Sequence, residues 1–522
     1  MRRLALSVLS FSFATLAAAP ARAQLVIDSL TGPITANEVA AFKAFMKTQS
    51  LPPDPWGTAT EHNALADGPA GNGVEAMGMM YEATQDAEIL DEMISFVDGI
   101  VAMRNDLPAG AHRVMWTGNV DKVWPPEPPT NTGATYAGGE NGDTIAHIEY
   151  AALLILKSPS LWAPTVPDHD PHAYGATYLD RAKTYLARCD EANDEYSVKY
   201  FVQQSTGLIR NPPNWPAGFH TMEAINIQMM LDGGYQRNAE AHEILGDDPA
   251  RVARYDAIVK TSVQECITGM VHPYQASGHT VTKWGYYPWD MTHAESVGHG
   301  AYDIVGIWRA AQRPLYGLAA SDLALLGGAL AYAIALGSNS FAKNVDGTGG
   351  VQSTMQGQWL LTGDWNAAAY ELVATADRAY GRYVTDPFTT ASILFMKHRL
   401  GGATDGGAGP VGSVDAGVDD ATAPTDDATA PTVDATAPAV DAGSPPSSPA
   451  PSTDASVPAP PAGGATTGTT PVSDAARSGG CGCAVGVGRG AGELWLAWPL
   501  LGTLLAMRRR RATAASSSNT SA

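Results

Sequence analysis

Positive charge, cysteine and strand-like alternation are all scarce in this chain of 522 residues. Lys and Arg number 32 against 53 Asp and Glu, a formal net charge of −21, which argues against nucleic acid as a partner. Of the four cysteines, only Cys189 and Cys266 fall in the middle of the chain, with no Cys/His zinc spacing around them. Outside the cytoplasm those two form either a disulfide or a pair of buried thiols. Without a period of two over any long stretch, an all-β architecture is excluded.

Composition sets both ends apart from the core. Residues 1–23 have the layout of a secretory signal: Arg2 and Arg3, an apolar stretch from Leu4 to Ala18, then Ala21-Arg-Ala23 as a cleavage site. Residues 401–478 are built from Ala, Pro, Thr, Asp, Gly and Ser, with Asp-Ala-Thr-Ala-Pro at 420–424, 427–431 and 434–438. Such a segment buries too little to offset its ordering entropy, so a disordered stalk is expected. Residues 479–522 carry Gly480-Cys-Gly-Cys483, apolar residues 494–507 and Arg508 to Arg511. These features in this order resemble the myxobacterial C-terminal sorting tail. The resemblance implies processing near Cys481 or Cys483 and attachment to the outer cell surface, while the N-terminal signal layout predicts export through the inner membrane. The protein would end at the cell surface or outer membrane, with membrane contact through the C-terminal segment before or after processing. A permanent single-span anchor is the other reading of the same segment.

Residues 24–400 remain, with 42 acidic side chains facing 23 basic ones. The helical period dominates there. Six stretches open from a Gly- and polar-rich loop into a helix of small and apolar residues, near Asn72, Asp143, His220, His293, Gly350 and Thr389. A helix apolar on nearly all sides is one covered on all sides. Charged, amphipathic helices are expected between them at 86–104, 176–203, 249–269, 319–336 and 364–380, and a further helix at 35–48. Six inner and six outer helices predict an all-α chain folded as an (α/α)6 toroid, a six-hairpin barrel, rather than an irregular bundle or solenoid. In a toroid the loops entering the inner helices meet at one end.

Those loops hold the polar residues. The run His293-Ala-Glu-Ser-Val-Gly-His299-Gly-Ala-Tyr-Asp303 follows the aromatic stretch Trp284-Gly-Tyr-Tyr-Pro-Trp289. On a helix, His299 and Asp303 share a face and Glu295 precedes His299 by one turn, so a carboxylate on each side would orient the imidazole. Trp284, Tyr287 and Trp289 are candidate sugar platforms, and Tyr286 a candidate proton carrier. The loop from Arg210 to His220 adds a guanidinium for a carboxylate and Trp215 for stacking, and leads to Glu223 and Asn226. Asn141 and His147 complete the expected binding set. No cofactor is expected; the one cation alternative is a divalent ion held by Glu295, His299 and Asp303.

In its alternating helices, aromatic segments, and His, Asn, Tyr and Arg at the helix mouths, the region 30–400 resembles the toroidal polysaccharide lyases and related sugar-active helical barrels. The resemblance implies that Asn226 and His220 neutralise a uronate carboxylate, that Tyr286 or His299 removes the C5 proton, and that Arg210 holds the carboxylate of a polysaccharide. Two other functions fit the residues. A glycoside hydrolase would draw its paired carboxylates from Asp143, Glu223, Glu295 and Asp303. A surface glycan-binding protein would need no catalytic group.

Overall fold

The computed structural model describes residues 23–51, 64–66, 68–125, 135, 137–213 and 222–402. The signal segment to residue 22, Asn214, Trp215, His220, and the stalk and tail from 403 onward lie outside the described residues. The described part is all-α, with twelve α-helices and a few short strands.

Helix α1 is Ala36–Met46, α2 Pro69–Thr84, α3 Ala87–Ala102 and α4 Glu140–Leu156. Helix α5 (Tyr178–Ala192) passes through a π-turn at Asn193–Ser197 into α6, Val198–Phe201. Helices α7 (Ile225–Leu245), α8 (Pro249–Met270) and α9 (Val297–Ala311) follow. Helix α10 (Ala320–Ala329) also runs into a π-turn, and α11 (Ala367–Tyr380) and α12 (Pro387–Gly402) end the series.

Burial separates the helices into two sets. Every residue of α4 is buried, as are the first fifteen of α7. By contrast α5 and α8 bury one face only. The buried set packs in sequence: α2 on α4, α4 on α7, α7 on α9, α9 on the 3-10 segment Gly357–Asp364, that segment on α12, and α12 back on α2. The order of contacts therefore closes. The more exposed helices α3, α5, α8 and α11 each lie against a member of that cycle.

Glycine sets how closely the inner helices approach. A β-carbon on Gly142 of α4 would stand 2.5 Å from Leu231 Cα of α7, and one on Gly306 of α9 would stand 2.3 Å from Met229 Cβ. Gly139 lies at Ile227 and Gly142 at Leu231, so residue numbers rise together along α4 and α7. The same holds for Met229 at Gly306 and Gly233 at Arg309. These helices run parallel and present their N-termini at one end. Helices α1, α3, α5 and α8 are capped by Thr35, Asp86, Thr177 and Asp248, whereas α2, α4 and α7 have no side-chain cap.

The fifth inner stretch departs from the α-helix expected near Gly350. Val351–Gln352 forms a short strand, β5, and the eight-residue segment that follows is a 3-10 helix. Gly357 and Gly363 bracket it, each pressed so closely on α12 or α11 that a β-carbon would meet atoms at 2.8 Å. Strand β5 pairs antiparallel with β4 (Ser340–Ala342), which pairs with β3, Ala335–Gly337. A second hairpin joins β1 (Tyr274–Ala276) to β2 (His279–Val281) through Ser277 and Gly278, both at positive φ, as a two-residue turn between strands requires. Neither sheet was expected; both are too short to give a readable alternation. Cys189 and Cys266 are separate buried thiols, so the disulfide alternative does not hold. No helix among the described residues is long and apolar enough to cross a membrane.

Candidate functional site

The aromatic loop is fixed at both ends. Gly285 and Ala294 form an antiparallel bridge, Glu295 N–H donates to Trp284 C=O at 2.9 Å, and Ser296 bridges to Asn344. Ser296 then caps α9, its hydroxyl accepting from His299 N–H. The Tyr286 C=O accepts from Ile225 N–H at 3.1 Å, which ties this loop to the first residue of α7. Tyr286, Tyr287 and Tyr302 pack over Ala224, Ile227 and Met230 of the same helix.

Within this assembly the Tyr286 ring lies 5.1 Å from the His299 ring, centroid to centroid, and 4.8 Å from that of Tyr287. Glu295 precedes the helix cap, yet its carboxylate lies 3.2 Å from His299 Nδ1. Phenol, imidazole and carboxylate thus stand in series, with the first two half-buried and the last buried. Asp303 does not supply the second carboxylate expected beside His299. It is fully buried, and its Oδ2 accepts from Trp284 Nε1 at 2.7 Å. Burial and the nearby Glu295 push its carboxyl well above the usual range, against the indole bond.

The other expected binding residues divide by burial. Trp284 is fully buried, bonded to Asp303 and tilted against Trp359, so it is a core residue and not a sugar platform. Trp289 is 52 % exposed and held in the left-handed region at φ 70°, with Tyr287 half-buried beside it in the chain. The Arg210 guanidinium is engaged by both carboxylate oxygens of Glu265 on α8, which occupies the fork expected to take a substrate carboxylate. Asn141 is buried and structural, accepting from Trp124 N–H at 2.9 Å and donating to Ser197 Oγ. Asn226 stands in the first turn of α7, and its buried amide oxygen has no hydrogen-bond partner among the described residues. Burial raises the Glu223 carboxyl to about 7, against its bonds to Ala224 N–H and the Asn211 side chain.

His147 lies deeper, in a group of charges on the inner helices. Its Nδ1 is 2.9 Å from Glu75 Oε1, and its Nε2 is 2.8 Å from Ala66 C=O and 3.4 Å from Asp143. Arg237 of α7 clasps both oxygens of Glu75 and donates to Ala146 C=O, its guanidinium 3.9 Å above the Tyr150 ring. Arg309 of α9 approaches Glu75 at 3.1 Å and Asp143 at 3.7 Å. Burial opposes the charge on Glu75, but Arg237 and Arg309 hold its carboxyl well below the usual range. Asp143 is likewise held low by His147 and Arg309 against burial, and these carboxylates raise His147 to about 9 in spite of its burial. Sequence reasoning missed Glu75, Arg237 and Arg309. The signal was a charged side chain inside a stretch read as apolar all round, since a buried charge must find a partner.

Among the described residues no group of His, Cys, Asp and Glu is arranged to hold a metal ion. The set Glu295, His299 and Asp303 fails because Asp303 turns to the Trp284 indole. No protein-family model, no curated protein and no solved structure matches this chain.

Proposed function

We propose that residues 24–400 form an (α/α)6 toroid and that the protein is a secreted, surface-tethered enzyme. Its reaction is β-elimination in a uronic-acid-containing polysaccharide. The closed order of contacts among the parallel inner segments supports the toroid. One observation carries the chemistry: the Tyr286 ring beside the His299 imidazole, with Glu295 behind the imidazole. Tyr286 or His299 takes the C5 proton, the C4–O4 bond breaks as the C4–C5 double bond forms, and the leaving oxygen receives a proton. No water is consumed. Asn226, whose amide lies buried at the mouth of α7, is assigned to the uronate carboxylate together with His220.

A glycoside hydrolase is the second reading, and Glu223 favours it. A carboxyl held near 7 by burial suits a general acid. The other expected members of the carboxylate pair are committed: Asp143 to His147 and Arg309, Glu295 to His299, Asp303 to Trp284.

A glycan panel separates the readings. β-Elimination yields an ultraviolet-absorbing unsaturated end, and Tyr286→Phe lowers its rate by about two to four orders of magnitude. New reducing ends without that absorbance, lost in Glu223→Gln, select the hydrolase. Binding without turnover on any glycan rejects both.

A further inference from the structure

The turn that carries Trp289 is built against its own residue type. Asp290 N–H donates to Tyr287 C=O at 3.1 Å, which closes a four-residue turn over Tyr287-Pro-Trp-Asp290. Pro288 stands at its second position and Trp289, at φ 70°, at its third. That is the type II pattern, whose third position favours glycine or asparagine because a β-carbon crowds the backbone there. Seven non-glycine residues among those described have positive φ, and Trp289 is the largest of them. A bulky side chain in that region adds strain, and such strain gathers at ligand sites.

The fold makes little use of the ring in return. Trp289 is the only exposed tryptophan among the described residues, and Asp290, Thr292 and His293 after it are exposed as well. The loop beneath it is clamped. Pro288 is buried, and a β-carbon on Gly269, in the last turn of α8, would stand 2.9 Å from Pro288 Cα and 3.2 Å from Trp289 N. A β-carbon on Gly285 would strike the Asp290 carbonyl. Thr292 N–H donates to the Asp290 carboxylate at 2.9 Å, and the bridge from Gly285 to Ala294 closes the base. One flat ring thus stands off a rigid mount. Three residues separate it from Tyr286, so the two Cα atoms lie within about 11 Å.

We propose that Trp289 is a stacking platform for the sugar residue next to the one at Tyr286 and His299, and that it selects glycan chains over short saccharides. The inference rests on the carbohydrate reading above and adds chain-length preference. A pyranose matches this surface: its C–H face covers one ring, and its hydroxyls meet the polar groups around that ring. A protein or lipid partner needs an apolar patch, and the exposed chain neighbours of Trp289 are Asp290, Thr292 and His293.

The test compares disaccharides with hexasaccharides of polygalacturonate, alginate and hyaluronan, and of cellulose and xylan as neutral series, on the whole protein. Affinity is read by calorimetry where a series is not cleaved and as KM where it is. At least one hexasaccharide binds more tightly than its disaccharide. Trp289→Gly, a residue the turn accepts, weakens the hexasaccharide by about tenfold and leaves the disaccharide unchanged. Trp289→Phe keeps part of the difference. In the unaltered protein the same hexasaccharide shields Trp289 from N-bromosuccinimide, read by peptide mapping, so the answer does not depend on a variant that folds. No series bound, an equal loss for both lengths, an unchanged hexasaccharide in Trp289→Gly, or Trp289 oxidised as fast with ligand as without overturns the proposal. Trp289-dependent binding with no series cleaved keeps the platform and sinks the enzyme reading. Cleavage with a KM indifferent to Trp289 keeps the enzyme and sinks the platform.

Discussion

Lys397 and Glu38 stand 359 residues apart in the chain and are both fully buried. The ammonium lies 2.6 Å from each carboxylate oxygen and donates to Ser29 C=O at 3.2 Å. Asp28 and Thr35 give the same carboxylate their backbone N–H groups at 2.9 and 2.8 Å. This pair clasps the segment before α1 and its first turn to α12. Lys397→Met removes the cation, keeps most of the stem volume and leaves a buried carboxylate with two N–H donors. Removing one partner of a buried pair costs about 3–5 kcal/mol. The two retained hydrogen bonds place this case at the lower end, about 3 kcal/mol. Adding Glu38→Gln removes the stranded charge and loses only one acceptor, so the double variant should lie within about 1–2 kcal/mol of the parent. Urea unfolding followed by tryptophan fluorescence measures all three proteins. A loss below about 1 kcal/mol for Lys397→Met, or a double variant worse than the single, would refute the clasp between the two ends of the domain.

Stability should fall steadily as pH rises from about 5 to 9. Burial raises Glu223 and Asp377 to about 7, so the folded state holds protons that the unfolded chain releases near 4, and their contribution fades as pH passes 7. His147, raised to about 9, contributes fully below its unfolded value near 6.5 and is lost toward 9. Melting temperatures at constant ionic strength check this, and a rise from pH 6 to 8 contradicts it. Cys189 and Cys266 should resist a thiol reagent in the native protein and react in urea, because both are buried and burial pushes both thiols up; peptide mapping reads the label. Gly142→Ala should cost about 1–3 kcal/mol, because its β-carbon meets Leu231 backbone, which has no side-chain rotamer to give way; urea midpoints measure the loss.

Much of the helical layout was legible in the chain. Stretches read as apolar all round at Asn72, Asp143, His220 and His293 correspond to α2, α4, α7 and α9, and the charged stretches between them to α3, α5 and α8. Helical periodicity is a local property, so it survives in one sequence without any partner. The aromatic and histidine block was legible as a site candidate for the same reason: Tyr286, Glu295 and His299 are near neighbours in the chain, and one tight loop brings them together. The 3-10 segment was not legible, because Gly357 and Gly363 owe their geometry to α12 and α11.

What the amino-acid order determined alone is therefore the period, the composition and the short-range clusters: an all-α domain, an acidic one, with an imidazole and phenols at one helix entrance. Folding decided which charges are occupied. Arg210 reads as an open guanidinium until Glu265 closes on it, and Trp284 as a sugar platform until Asp303 and Trp359 bury it. Glu75, Arg237 and Arg309 are isolated charges until three helices bring them within a few ångströms. The reason is physical: a side chain's periodicity is set by its own backbone. Its desolvation and its ion pairs depend on residues scores or hundreds of positions away, and those meet only when the helices pack.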